Sequence, residues 1–230
     1  MRIIFAVFLS LILLMLPVHA GTVNLGGGFS GGGFSINISS IKEQRFKTIY
    51  KQQYDFSCGS ATLASLLSFH YDIVVDELEV FQDMYSHGNQ AKIQKHGFSL
   101  LDMKLYLSRQ GYRSNGFKIS LKQLAQAEIP AITIINNNGY MHFIIIKASD
   151  ENEVLVGDPA IGIKVYSRAE FDKMWNKQIL FVLQDKKDIA SNHYQTQAEW
   201  KLRVKANLGF AVDHSSLALF NILQPSVIDF

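Results

Sequence analysis

Lys51-Gln-Gln-Tyr-Asp-Phe-Ser-Cys-Gly-Ser-Ala-Thr-Leu-Ala-Ser-Leu-Leu-Ser-Phe-His-Tyr71 holds the single cysteine of the chain at what reads as the start of a helix. From Ala61 onward the apolar residues Leu63, Leu66, Leu67 and Tyr71 recur at the spacing of a helix with one buried face. Cys58 therefore falls in the first turn, where unpaired backbone N–H groups and the positive end of the helix dipole favour a thiolate. Gly59 removes side-chain bulk where a substrate carbonyl would approach, and the Cys58 N–H is placed to meet a developing oxyanion. Gln52, six residues upstream, offers a side-chain amide to the same anion. A lone cysteine is equally at home as a small buried hydrophobe, so the choice rests on the rest of the chain.

Upstream, Met1 to Ala20 begins with one basic residue, continues through an apolar run, and ends with Pro17 and the small residues Val18 and Ala20. That is the pattern of a secretory signal cut after Ala20, which sets the expectation of an exported, periplasmic chain. An exported chain meets oxidising conditions, yet Cys58 has no second cysteine to pair with, which tilts its reading from packing toward use. Asn24 to Ser35 then repeats Gly-Gly-Gly-Phe-Ser, a flexible arm by composition. No strand precedes this repeat and no Gly-Lys-Ser/Thr closes it, so it is not a phosphate loop and no ATP is expected. With 230 residues, 48% apolar and 18% charged, the chain suits one domain with additions. Its net charge of +2 comes from interspersed residues of both signs, so no nucleic-acid partner is expected either.

Downstream, Asp76 to His87 reads as a helix carrying Leu78, Phe81 and Tyr85. Ser99 caps another through Leu101, Leu105 and Leu107, ended by Gly111, and Ser120 to Gln126 is a third. From Ile129 the period changes. Pro130 to Ile135, Tyr140 to Lys147, Glu153 to Asp158, Val165 to Tyr166 and Ile179 to Leu183 read as strands, with a short helix near Phe171 to Trp175. Helices followed by antiparallel strands make an α+β domain. From Asp185 the chain turns polar; Lys186 to Asn192 reads as a linker. Beyond it Trp200, Leu202, Val204, Leu208 and Phe210 form segments that either pack back or meet a partner.

A thiol nucleophile needs a base within hydrogen-bond reach, and the base needs an orienting group. Of the seven histidines, His19 leaves with the signal. His70 lies roughly 18 Å along the helix from Cys58, His87 and His96 lie in glycine-flanked loops, and His193 and His214 fall outside the domain. His142 stands near the start of a strong strand. A hairpin symmetric about Ser149 to Asn152 sets it opposite residue 158 or 159, and residue 158 is Asp, close enough on one face to hold the imidazole. No Cys/His cluster has metal-ligand spacing, so no metal or organic cofactor is expected.

Gln52 to Leu67, Tyr140-Met-His-Phe-Ile-Ile-Ile-Lys147 and Val156-Gly-Asp-Pro159 resemble the bacteriocin-processing double-glycine peptidases. These are papain-like cysteine peptidases usually fused to peptide-exporting ABC transporters, and the match spans about Lys47 to Gln184. The resemblance implies a papain-like fold with Cys58 as nucleophile, His142 as base, Asp158 as orienter and Gln52 as oxyanion donor, cutting after Gly-Gly. The transporter-linked enzymes usually carry an acidic residue before the cysteine, where this chain has Ser57. Its signal sequence makes it similar to free-standing relatives that accompany functional-amyloid, fibre or adhesin secretion systems. The implied partners are a secreted protein or peptide with a Gly-Gly site and an outer-membrane secretion system; the alternative is a non-catalytic module that binds or chaperones a Gly-rich secreted protein. A third reading is a papain-like acyl transferase or amidase. Gly26 to Gly28 and Gly31 to Gly33 are then linker, sites for such an enzyme, or an arm that occupies the cleft as a built-in inhibitor. The expected organisation is a signal peptide (1–20), a Gly-rich arm (21–40), a papain-like peptidase domain (41–185) and a C-terminal extension (186–230).

Overall fold

The computed structural model describes residues 22–24, 35–37, 40–54, 56–137, 139–175, 178–194 and 197–202. The expected signal segment, the glycine repeat and the chain beyond residue 202 lie outside these. Two short strands, β1 (Thr22–Asn24) and β2 (Ser35–Asn37), flank the glycine repeat and pair antiparallel.

The N-terminal half of the body is helical, as the sequence reading has it. Helix α1 (Ile41–Arg45) leads to α2 (Cys58–His70), followed by α3 (Glu77–His87), α4 (Gln90–His96) and α5 (Leu100–Arg109). Strand β3 (Ser114–Phe117) and helix α6 (Leu121–Ala127) come next, then β4 (Ala131–Asn137), β5 (Tyr140–Ser149), β6 (Glu153–Asp158) and β7 (Gly162–Ser167). Helix α7 (Arg168–Met174), strand β8 (Leu180–Leu183) and helices α8 (Lys187–Asn192) and α9 (Gln197–Trp200) are the last elements among the described residues. Reciprocal Ser–acid or Ser–Gln capping boxes start α1, α5, α6 and α7. Each ties two backbone donors of a helix start that no carbonyl can reach.

The sheet order is β3-β8-β4-β5-β6-β7, with every neighbour antiparallel. Helix α2 runs against β4 and β5 on one side and α3 and α5 on the other. That sandwiching corrects the expectation of one apolar stripe, because every residue from Cys58 to Leu67 is buried. The polar members stay satisfied: Ser60 donates to the Ser57 carbonyl at 2.9 Å, Thr62 to the Phe143 carbonyl at 3.3 Å, and Ser65 to the Ala61 carbonyl at 2.6 Å.

Other departures have local causes. Helix α3 buries Val80 and Met84 rather than Leu78, and α5 buries Met103, Tyr106 and Leu107 while Leu101 is 61% exposed. Apolar residues on more than one face leave the phase of a 3.6-residue period undecided. His87 and His96 close helices α3 and α4 rather than lying in loops. The expected linker is helix α8, whose Ala190 is buried, and Tyr194 and Glu199 are buried beyond it, so residues 187–194 and 197–202 pack back on the domain. His193 belongs to this packing, 3.1 Å from Asp72.

Candidate active site

Cys58 is the first residue of α2 and is buried. Ser57 before it occupies the cap position but makes no side-chain cap bond. Its hydroxyl donates instead to Glu77 Oε1 at 2.6 Å, and the same carboxylate oxygen accepts from the Gln53 N–H at 3.3 Å. Glu77, in the first turn of α3, thereby ties the loop that runs into Cys58. Burial pushes its carboxyl above the ordinary range, against the pull of the Ser57 and Gln53 bonds. Nothing in the sequence marks Glu77 out from other acidic residues at helix starts.

Gly59 serves packing rather than substrate approach. A Cβ there would lie 2.8 Å from Cβ of Phe98 and 3.2 Å from the Met103 methyl. Its absence lets the α4–α5 connection close onto α2, so that Phe98 becomes a wall beside the thiol. The cleft so formed has a volume of about 800 Å³, and its lining includes Cys58, Phe98, Leu101, Tyr140, Met141 and Phe143. The exposed apolar side chains of Leu101, Tyr140 and Met141 are thus surfaces of one groove.

His142 and Asp158 meet as expected, by a different register. The turn-side rungs pair Ser149 with Val154 and Ala148 with Leu155, then a bulge intervenes and Ile146 pairs with Val156 and Ile145 with Gly157. Continued one rung, that register sets Asp158 level with Ile144 rather than with His142. Alternation puts His142 on the same face as Ile144, so imidazole and carboxylate meet diagonally. His142 Nε2 donates to Asp158 Oδ1 at 2.8 Å, which also accepts from the Ala160 N–H at 2.7 Å. Both residues are about 95% buried, and Tyr140 stacks over the imidazole at 5.9 Å between ring centroids.

Burial alone would drive His142 toward neutrality. The Asp158 bond and the nearby Cys58 outweigh it, raising the imidazole pKa to about 9. The thiol is near enough to stabilise the imidazolium, although Nδ1 makes no hydrogen bond of ordinary geometry. Cys58, His142 and Asp158 are brought together; His70, by contrast, is buried at the far end of α2 with neither ring nitrogen hydrogen-bonded.

Gln52 is held beside the site by its backbone, whose N–H donates to the Pro159 carbonyl, next to Asp158, at 3.0 Å. Its side-chain Nε2 donates to the Tyr54 carbonyl at 3.3 Å, while Oε1 is buried without a partner. Among the described residues no group of His, Cys, Asp and Glu is placed to hold a metal ion.

The sequence profile described as the Peptidase C39 family matches residues 46–187. A protein of Pseudomonas aeruginosa named "Probable functional amyloid protease FapD" is 40% identical over 76% of this chain and 78% of its own length. One of the same name from Pseudomonas fluorescens is 33% identical over 93% and 95%. Among solved structures, the peptidase domain of Streptococcus ComA, a bi-functional ABC transporter involved in quorum sensing, superposes with a TM-score of 0.51 at 20% identity. That match covers 59% of this chain and 96% of that domain, a likeness of fold.

Proposed function

This chain belongs to the Peptidase C39 family and is a cysteine peptidase, and from that premise we propose that it is an exported endopeptidase that cuts a secreted protein after a Gly-Gly pair. Cys58 is the nucleophile, His142 the acid and base, Asp158 the orienting carboxylate and Gln52 an oxyanion donor. The observation that carries the reading is the buried His142–Asp158 bond of 2.8 Å beside a thiol at a helix N-terminus.

The chemistry follows from the placement. The Cys58 thiolate attacks the carbonyl carbon of the second glycine, and the oxyanion is met by the Cys58 N–H and by the Gln52 amide turned from the Tyr54 carbonyl. The C–N bond breaks as His142 gives its proton to the leaving amine, leaving a thioester on Cys58. Water, losing a proton to His142, attacks that thioester and releases the new carboxyl terminus, restoring the thiolate–imidazolium pair. Asp158 keeps Nε2 protonated and so keeps Nδ1 free for the thiol and the substrate. Glycines at the cut suit a cleft whose wall Phe98 is drawn close to the nucleophile.

The names of the two Pseudomonas relatives support a functional-amyloid protein as the substrate class; an outer-membrane secretion system as a partner is part of the proposal. The test uses a peptide copying Gly21 to Ser40, a copy with its glycine pairs changed to alanine, and full-length protein. Masses showing a cut after Gly-Gly in the first peptide alone, abolished by Cys58→Ala, are expected. Binding without any cut would favour the chaperone module instead. Export is tested separately: N-terminal sequencing of chain released by osmotic shock is expected to begin at Gly21.

A further inference from the structure

Lys147 is a buried charge that the chemistry does not use, and it sits at the irregular step of the β5–β6 ladder. It is 2% exposed. Its ammonium donates to Glu199 Oε1 at 2.6 Å, to Thr48 Oγ1 at 2.8 Å and to the Thr48 carbonyl at 3.3 Å, which uses all three of its protons. Thr48 also donates to Glu199. Its stem passes close over Gly157, where a Cβ would come within 3.3 Å of Lys147 Cδ. Thr48 lies ahead of α2, and Glu199 lies in α9, beyond residue 187 where the family match ends. Three distant parts of the chain therefore converge on the one extra residue of β5.

That extra residue decides which way Asp158 faces. Extending the turn-side register without a bulge would pair Lys147 with Val156 and set Asp158 level with Ile145, on the face opposite His142. With residue 147 left out of the pairing, Ile146 meets Val156 and the carboxylate returns to the face of the imidazole. We propose that Lys147, held by Thr48 and Glu199, is a positioning residue that keeps this bulge in place and so aligns Asp158 with His142. The proposal rests on the catalytic reading of that pair, and it makes α9 a working part of the peptidase domain.

Two changes that a merely stabilising role would not distinguish differ in the register they leave. Lys147→Val keeps the residue count but releases the anchor, so the ladder can regularise with Asp158 turned away. Deleting residue 147 leaves Ala148–Leu155 and Ile146–Val156 as adjacent rungs, the pairing already present, so His142 and Asp158 stay aligned. Both are made in the full chain with Glu199→Gln, so that no carboxylate is left buried and unpaired. The readout is the iodoacetamide alkylation rate of Cys58 at pH 6 relative to pH 9.5, in chains shown by circular dichroism to be folded. The deletion is expected to stay within about threefold of wild type and Lys147→Val to fall by about tenfold or more. Equal ratios in Lys147→Val and wild type, or an equal loss in both variants, would overturn the proposal. If Lys147→Val does not fold, the deletion decides alone: wild-type reactivity at pH 6 supports the register role and its loss overturns it. The control is His142→Ala. If it leaves the wild-type pH 6 rate unchanged, the catalytic reading falls and takes this inference with it; if it lowers that rate while Lys147→Val does not, the inference alone falls.

Discussion

Replacing Asp158 with asparagine removes one charge from the site at almost no change in shape. His142 is raised from 6.5 to about 9 against the opposing effect of its own burial, and Asp158 supplies the largest of the favourable contributions. A difference of that size corresponds to about 3 kcal/mol of preference for the imidazolium. With the carboxylate gone and the burial unchanged, His142 is expected to return to its ordinary value or below. At pH 7.5 the protonated fraction would then fall from about 97% to at most about 9%, a tenfold loss of the charged partner of Cys58. The asparagine oxygen can still accept from Ala160, but an amide NH₂ turned toward Nε2 would favour the wrong tautomer. The assay is Cys58 alkylation followed from pH 5 to 10 beside peptide cleavage at pH 7.5. The expected outcome is an alkylation limb displaced to higher pH and a cleavage rate down at least tenfold. An alkylation profile superposing on that of wild type would refute the reasoning, since it would mean that Asp158 does not hold the imidazolium.

Other outcomes follow from the same contacts. Because the folded-state pKa of His142 lies above its unfolded value, its contribution to stability is fully present below about pH 6.5 and lost as pH rises through about 9, worth up to about 3 kcal/mol; denaturant midpoints at pH 6 and pH 10 should differ accordingly, and less so in His142→Gln. Gly59→Ala drives a methyl to 2.8 Å from Phe98 and should cost about 1–3 kcal/mol in urea unfolding, an unchanged midpoint meaning that Phe98 yields freely. Glu77→Ala strands the Gln53 N–H and leaves the Ser57 hydroxyl only the Tyr54 carbonyl at 3.0 Å, and should cost about 1–3 kcal/mol. Glu77→Gln keeps an acceptor for both, so thermal melts should rank it between wild type and Glu77→Ala.

Much of this was legible because local chemistry and global fold agree. Ser99, Ser120 and the residues after them announce helix starts that the capping boxes confirm, and the β-branched run around Ile132 and Ile144 could hardly be anything but central strand. The Cys58 helix and the shared face of His142 and Asp158 could both be read, although the register that joins the pair could not. The Asp150–Glu153 turn is centred one residue later than Ser149–Asn152, and the bulge at Lys147 shifts the register again, so only the shared face survives. A bulge leaves no mark in alternation, and a lysine after three isoleucines reads as the end of a strand. Glu77, Thr48 and Glu199 are separated by long stretches of chain from the groups they serve, so no spacing rule reaches them. Lys186 to Asn192 reads as polar linker because the burial here depends on a few contacts, Ala190 within it and Tyr194 and Glu199 beyond it, rather than on a periodic apolar face.

The most direct measurement is the intact mass of the full chain, quenched in acid milliseconds after mixing with a peptide carrying an internal Gly-Gly pair. The account predicts a transient adduct equal to the part of the peptide ending in Gly-Gly, mapped to Cys58, and absent in Cys58→Ala. Cleavage of the peptide by the Cys58→Ala chain at the wild-type rate, with no adduct in either, would contradict it.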